Sequence, residues 1–155
     1  MRRPASRAAI LLVLFSAAFA AQGKPNFAGK WTLTGDPSAA GMMTPASMTV
    51  TQDDKTITVA AANQMGEITT VYNLDGSEAR SPLEFNGNSI DRVTKSAWDG
   101  GKLVLTTTAS FQGQSFETKQ VWTLGADGTL TVESTRPDFQ GGGAPVTTKA
   151  TYKKS

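Results

Sequence analysis

Side chains that could carry chemistry are few in this chain, and two residue types are missing. Its 155 residues include no histidine and no cysteine. This excludes Ser-His-Asp and Cys-His nucleophiles, zinc sites built on His or Cys, His-ligated haem and disulfides. Without an imidazole or a paired acid, the chain offers no obvious general base. We therefore expect no catalytic residues, no metal site and no cofactor. The enzymatic alternative is a lipid-modifying activity that uses Arg92 with Tyr72 or Tyr152.

The aspartates stand where turns are expected. Asp53-Asp54, Asp75, Asp99 and Asp127 lie at the ends of predicted strands, next to Gly or Lys. Aspartate favours turns because its side chain accepts hydrogen bonds from the backbone two residues further on. The sequence has no EF-hand spacing that would indicate a calcium loop. We expect these residues to form turns.

Arg92 is the sharpest candidate for contact with a ligand. Phasing the predicted strands on Trp31, Leu103 and Trp122 turns its side chain toward the inside of the fold. An inward guanidinium can hold a carboxylate or phosphate through two parallel hydrogen bonds. Two alternatives stay open: an ion pair with a carboxylate at the rim, or a one-residue bulge that turns Val93 and Ala97 inward and Arg92 outward.

The same phase gives the complete set of candidate ligand-binding residues. They are Tyr72, Arg92, Thr94, Ser96, Trp98, Gln120, Trp122 and Tyr152. An interior that is mostly apolar, with a few polar groups, is typical of a small-molecule site. Trp98 and Trp122 are expected to serve the core first and a ligand second, because large aromatic side chains dominate burial in small domains.

These residues lie on short alternating runs that end in Asp-Gly, Asn-Gly or Gly-Gly, the pattern of strands joined by hairpins. No helical periodicity competes with it. Nine strands are predicted, near residues 27–34, 47–52, 56–62, 67–74, 90–98, 103–111, 116–124, 129–135 and 146–153.

Closure of these strands into one barrel is the expected architecture. Most connections are tight turns, which favour sequential antiparallel pairing, and closure removes the exposed edges of such a sheet. The predicted fold is a single all-β antiparallel up-and-down barrel of about 8–9 strands. An immunoglobulin-like sandwich is the alternative, although it needs long crossings that these turns do not supply. Three longer connections, 35–46, 75–89 and 136–145, are expected at the barrel mouths.

The first strand carries a resemblance to known barrels. Phe27, Gly29 and Trp31 form an aromatic-x-Gly-x-Trp start that resembles lipocalins, fatty-acid-binding proteins and avidins, the calycin group. In those families the glycine lets the strand bend and the tryptophan plugs the closed end. From the residues alone, Gly29 inside a strand indicates a bend or a close backbone approach. Residues 98–106 and 148–153 look like hairpin and final strands of fatty-acid-binding proteins, and the overall pattern resembles small secreted bacterial proteins of lipocalin type.

The sequence also departs from those families. The lipocalin Thr-Asp-Tyr motif is absent, and residues 35–46 cannot hold the two-helix lid of fatty-acid-binding proteins. Their Arg-x-Tyr grip on a carboxylate appears only as Lys149-x-x-Tyr152, which places the two side chains on opposite faces of a strand. The family's ligand grip is therefore not carried over to this chain.

Residues 1–20 are predicted to be a signal peptide. Arg2, Arg3 and Arg7 precede an apolar run that ends in Ala18-Phe19-Ala20, a small-x-small cleavage pattern. Removing these three arginines from the 15 basic residues leaves 12, against 13 acidic residues. A nearly neutral domain from residue 21 to 155 favours neither nucleic acid nor an anionic membrane as partner. We expect a secreted or periplasmic protein with no stable membrane insertion.

Three functions follow from these observations. The leading one is a barrel that binds a small hydrophobic or amphipathic ligand in its lumen without a cofactor. The second is a filled barrel that acts through the loops 35–46 and 136–145 as a protein-interaction or inhibitor module. The third is the lipid-modifying activity described above.

Overall fold

A computed structural model describes residues 23–36, 40–41, 43–64 and 66–155, and these residues form eleven strands. The strands are β1 (Gly29–Leu33), β2 (Ser47–Gln52), β3 (Thr56–Asn63), β4 (Gly66–Asn73), β5 (Ala79–Arg80), β6 (Leu83–Phe85), β7 (Asn88–Asp99), β8 (Lys102–Phe111), β9 (Gln114–Leu124), β10 (Leu130–Arg136) and β11 (Val146–Lys154). Each is antiparallel to its partner. The predicted signal peptide, residues 1–20, lies outside the described residues.

The strands make one sheet that curls into a nearly closed barrel. Its order is β4-β3-β2-β1-β11-β10-β9-β8-β7-β5, with β6 also paired to β7. The two ends of this order approach each other, because β4 contacts both β5 and β7. We call this junction the seam. The all-β antiparallel barrel expected from the sequence is confirmed, and a single curled sheet replaces the two-sheet sandwich alternative.

The predicted strand number was too low. The nine expected strands are present, and β5 and β6 are additional strands within residues 75–89, which the sequence suggested were a connection. Pro82 separates the two and leaves runs of only two and three residues. Asn86 and Gly87, both with positive φ, turn β6 back onto β7. Alternation cannot be read in runs this short, so only the Asn-Gly pair marks the hairpin.

Hydrogen bonds hold the seam at one end. The Ser96 hydroxyl donates to the Asn73 carbonyl, and the Asn73 amide donates to the Glu78 carbonyl over 3.1 Å. On the outer side, Glu78 forms ion pairs with Lys95 at 3.5 Å and with Arg80 at 3.9 Å. Exposed ion pairs contribute little, so the buried bond from Ser96 is the stronger tie between β4 and β7.

The barrel has two different ends. The turns 53–55, 100–101 and 125–129 lie at one end, which we call the closed end. The connections 34–46, 86–87, 112–113 and 137–145 lie at the other end, which we call the mouth.

Phe27 lies across the closed end. Its ring stacks on Trp98 at 6.3 Å between centroids and meets Trp122 edge-on at 5.7 Å. The indole nitrogen of Trp31 donates to the Phe27 carbonyl over 2.9 Å, so aromatic side chains fill this end.

Gly29 has a positive φ and lies close to a lysine side chain, whereas the sequence predicted a bend or a close backbone approach. Its φ is +146°, and a Cβ there would lie 2.9 Å from Cε of Lys154, whose ammonium group is 5.4 Å from the Trp31 ring centroid. A lysine side chain can move aside at small cost, whereas the backbone angle cannot relax without moving β1. The conformation, more than the contact, therefore requires glycine here.

We expect Gly29→Ala to lower the free energy of unfolding by about 1–3 kcal/mol, because alanine is strained at this φ. Chemical denaturation followed by circular dichroism measures the loss. The double variant Gly29→Ala/Lys154→Ala separates the two causes, since it removes the contact and keeps the strain. Recovery of most of the stability in the double variant would contradict backbone strain as the main cause.

Candidate ligand site in the mouth half of the barrel

The inner face of the barrel changes character along its length. Toward the closed end, inward side chains such as Leu103, Leu130 and Ile57 are fully buried and apolar. Toward the mouth, the inward side chains are largely polar and only half-buried: Arg92, Thr107, Thr118, Gln120, Ser134 and Thr148. Side chains that face inward and still contact solvent indicate that water reaches this half of the interior. We call it the mouth half.

Arg92 faces into the mouth half. The ladder between β7 and β8 runs without interruption from the Asp91–Ser110 pair to the Asp99–Lys102 pair. Thr94 and Ser96, two and four residues after Arg92, are buried, whereas Ala97 is exposed. Side chains alternate strictly along a regular strand, so Arg92 shares the inner face with Thr94. The bulged alternative, with Val93 and Ala97 inward, is wrong.

The Arg92 guanidinium is only partly used by the fold. Its Nε donates to the Ser81 carbonyl over 3.0 Å, next to the backbone bond from the Ser81 nitrogen to the Arg92 carbonyl. Among the described residues no carboxylate pairs with it, and the remaining residues contain no Asp or Glu. The terminal nitrogens are therefore available to a ligand, and the expected alternative of a rim ion pair is not found in the described structure.

Tyr72 lies near Arg92 on the opposite side of the seam. Burial raises the pKa of Tyr72, while the positive charge of Arg92 and the Thr70 hydroxyl act against that rise. The phenol thus stays protonated at neutral pH and can donate a hydrogen bond. Tyr72 pairs with Ile57 near the end of β4, so it offers a neutral donor across the seam from the cationic donor Arg92.

Two of the other candidate residues, Thr94 and Ser96, use their hydroxyl groups in hydrogen bonds within the barrel wall. The Thr94 and Thr107 hydroxyls are 2.7 Å apart across β7 and β8, and the Ser96 hydroxyl is committed at the seam. Gln120 is less constrained: its amide oxygen accepts from the Trp122 indole over 3.3 Å, and its amide nitrogen has no partner among the described residues. Gln120 can therefore donate into the mouth half, whereas Thr94 and Ser96 serve mainly to support it.

Of the remaining aromatic candidates, Trp98 and Trp122 lie away from the mouth half, and the Tyr152 hydroxyl is used in a bond of the fold. Trp98 and Trp122 pack against Phe27 at the closed end, as the sequence suggested for core aromatics. Lys24 covers the Trp98 ring at 5.5 Å, and the Trp98 indole nitrogen is buried without a partner in the described part of the chain. The Tyr152 hydroxyl donates to the Pro45 carbonyl over 3.1 Å, which ties β11 to the connection 34–46.

The buried Tyr152 makes stability sensitive to alkali. Burial raises its pKa from 10.0 to about 12. The folded state holds this proton more tightly than the unfolded state, so the stabilisation is complete below pH 10 and is lost as the pH rises toward 12. We expect the melting temperature of the wild type to fall more steeply over this range than that of Tyr152→Phe. Parallel pH profiles of the two proteins would contradict this.

The aspartates form turns, as their positions predicted. Asp53 accepts backbone bonds from Lys55 and Thr56, both at 2.7 Å, and Asp127 accepts from the Thr129 hydroxyl at 2.6 Å. These bonds favour the charged carboxylate and lower the pKa of both groups. Within the described ranges, no group of three or more acidic side chains is placed to hold a metal ion.

Sequence reasoning missed part of the polar wall. Thr118, Ser134 and Thr148 face the mouth half in register with the candidates: Thr118 pairs with Thr107, and Ser134 pairs with both Gln120 and Thr148. The signal was available, because each lies an even number of residues from an inward neighbour. Apolar residues mark a buried face more clearly than threonine or serine does, so alternation in the sequence does not single out these positions.

Comparisons with known proteins place no family name on this barrel. The chain matches no protein-family model and no curated protein. Among the described residues, none of the helical structure is long and apolar enough to cross a membrane.

Proposed function

We propose that this protein binds a small, mostly apolar molecule with an acidic head group in the mouth half of its barrel. The observation that carries the proposal is Arg92, an inward cation with free terminal nitrogens and no carboxylate partner among the described residues. A charge held inside a fold normally has a partner. An anionic ligand would supply it, with two hydrogen bonds from the guanidinium and one from Tyr72.

The arrangement of the wall favours one orientation of such a ligand. On β7, Ile90 lies one inward position nearer the mouth than Arg92, and Phe111 and Phe116 flank the same region from β8 and β9. The acidic group would therefore lie deeper, at Arg92, and the apolar part would extend toward the mouth. Burial of that apolar part supplies most of the binding free energy, at about 25 cal/mol per Å².

The proposal includes the cellular setting expected from the sequence. Residues 1–20 direct export, and the protein works in the periplasm or outside the cell. It binds its ligand without a cofactor and without changing it covalently, since neither Arg92 nor Tyr72 has a base beside it in the described structure that could accept a proton.

A fluorescence titration tests the binding proposal. The probe is 11-(dansylamino)undecanoic acid, and its methyl ester is the neutral control. We expect saturable one-to-one binding of the acid and weaker binding of the ester, because only the acid pairs with Arg92. Equal binding of both compounds, or none of either, would contradict the proposal.

The second candidate function, a protein-interaction module, is favoured by the apolar side chains around the mouth. Met43 is 63% exposed, Phe139 56%, Phe85 40% and Val146 38%. They lie in or beside the connections 34–46, 86–87 and 137–145. Exposed apolar side chains gathered at one end are typical of an interaction surface. The titration separates the two candidates, because a module with a filled lumen would not take up the probe.

A further inference from the structure

One contact at the mouth joins a surface loop to the inner wall. Phe139 lies in residues 137–145, which we call the mouth loop, and its ring meets Phe116 edge-on with 5.0 Å between centroids. Phe116 pairs with Ala109 on β8, and Ala109 pairs with Arg92 on β7. The loop therefore contacts the wall at the level of Arg92, the side chain proposed to bind the acidic head group.

The mouth loop has its own internal brace. The Asp138 carboxylate accepts hydrogen bonds from the backbone nitrogens of Gln140 and Gly141, each at 3.0 Å. These bonds stabilise the charged form and lower the pKa of Asp138. A Cβ at Gly141 would lie 2.5 Å from an Asp138 oxygen, so a larger residue there would displace the carboxylate from its present position. The loop is built to present Phe139 in a defined position.

The brace does not fasten the loop to the barrel. The ladder between β10 and β11 ends at the Arg136–Val146 pair. Beyond it, no backbone hydrogen bond among the described residues links residues 137–145 to another part of the chain. A depression of about 260 Å³ remains between the loop and its base, lined by Arg136, Phe139 and Val146 among others. The ring contact with Phe116 is therefore the principal tie that closes the loop onto the wall.

We infer that the mouth loop is a gate whose closed state is set by the pairing of Phe139 with Phe116. This inference rests on the proposed function, because the gate controls traffic to the ligand site. The Phe139 ring leaves Phe116 when a ligand enters or departs. The hydrogen bonds to Asp138 keep the loop in one conformation while it moves. Because a single aromatic contact closes the loop, we expect the gate to open fast. The gate then controls the rates of ligand association and dissociation more than the affinity.

Stopped-flow fluorescence with 11-(dansylamino)undecanoic acid tests the gate. Removing the ring contact in Phe139→Ala is expected to raise both the association and the dissociation rate constant by about 2- to 10-fold, the range an aromatic pair supports. Phe85→Ala is the matched control, since Phe85 is an exposed phenylalanine at the mouth with no ring contact among the described residues. Its rate constants are expected to stay at the wild-type values.

A second pair of variants tests the brace. Asp138→Asn keeps an oxygen that accepts the two backbone bonds and should exchange probe as the wild type does, whereas Asp138→Ala should exchange it faster. Probe binding with unchanged rate constants in both Phe139→Ala and Asp138→Ala overturns the gate and leaves the proposed function standing. A wild-type protein that binds no probe overturns the proposed function and the gate together.

Discussion

Trp31→Ala is expected to lower the free energy of unfolding by about 3–5 kcal/mol, among the largest losses for any single substitution in this chain. Trp31 is 1% exposed and lies in the main hydrophobic cluster with Phe27 and Trp122. Its truncation leaves a large cavity and orphans the Phe27 carbonyl, which accepts the indole hydrogen bond. Urea denaturation followed by far-ultraviolet circular dichroism measures the change without relying on tryptophan fluorescence.

Two variants separate the causes of that loss. Trp31→Phe keeps much of the volume and removes the hydrogen bond, so we expect an intermediate loss. Val71→Ala removes an apolar group that is 46% exposed on the outer face of β4 and should change stability by less than about 1 kcal/mol. A loss for Trp31→Ala no greater than that for Val71→Ala would contradict the role of Trp31 as a principal core residue.

Arg92→Ala is expected to weaken binding of 11-(dansylamino)undecanoic acid by about 10- to 100-fold, the effect of losing charge-assisted hydrogen bonds to a carboxylate. Binding of the methyl ester should change little, since the ester carries no charge. The same titration under identical salt measures both compounds, and the ratio of their affinities isolates the charge of the head group from apolar burial.

Lys95→Ala is the matched control for this experiment. Lys95 lies three residues along the same strand, carries the same charge and faces outward, where it pairs with Glu78. Its removal should leave both affinities unchanged. Arg92 also donates from Nε to Ser81, so the melting temperature of each variant must accompany its affinity. Equal losses for Arg92→Ala and Lys95→Ala would show that the effect comes from overall charge.

The barrel was predictable from the sequence because local signals agreed with one another. Turn residues such as Asp53 and Asp127 marked the hairpins, and Gly29 marked the one place where β1 needs a positive φ. The exceptions are β5 and β6, which lie on either side of Pro82 and form because they pair with β7. Their own sequences carry only a weak strand signal. Tertiary pairing decides such short strands, and a single sequence does not display it.

For the site, the alternation of side chains along each strand predicts only which residues face inward. Phase placed Arg92 and Tyr72 on the inner face, where the structure has them. The phase of this alternation does not show how far along the barrel a residue lies or what its polar atoms contact. It therefore grouped Trp98 and Tyr152 with Arg92, although Trp98 packs at the closed end and the Tyr152 hydroxyl is bonded to Pro45. The contact of Phe139 with Phe116 depends on how a glycine-rich loop folds back, which no periodicity encodes.

Native mass spectrometry tests the central claim most directly, namely that the mouth half holds an apolar acid. The protein is purified after export, without detergent, and examined before and after incubation with dodecanoic acid, with dodecanol as the neutral counterpart. We expect a one-to-one complex with dodecanoic acid that is lost in Arg92→Ala, and much less complex with dodecanol. A spectrum that shows only the free protein after incubation with either compound would contradict it.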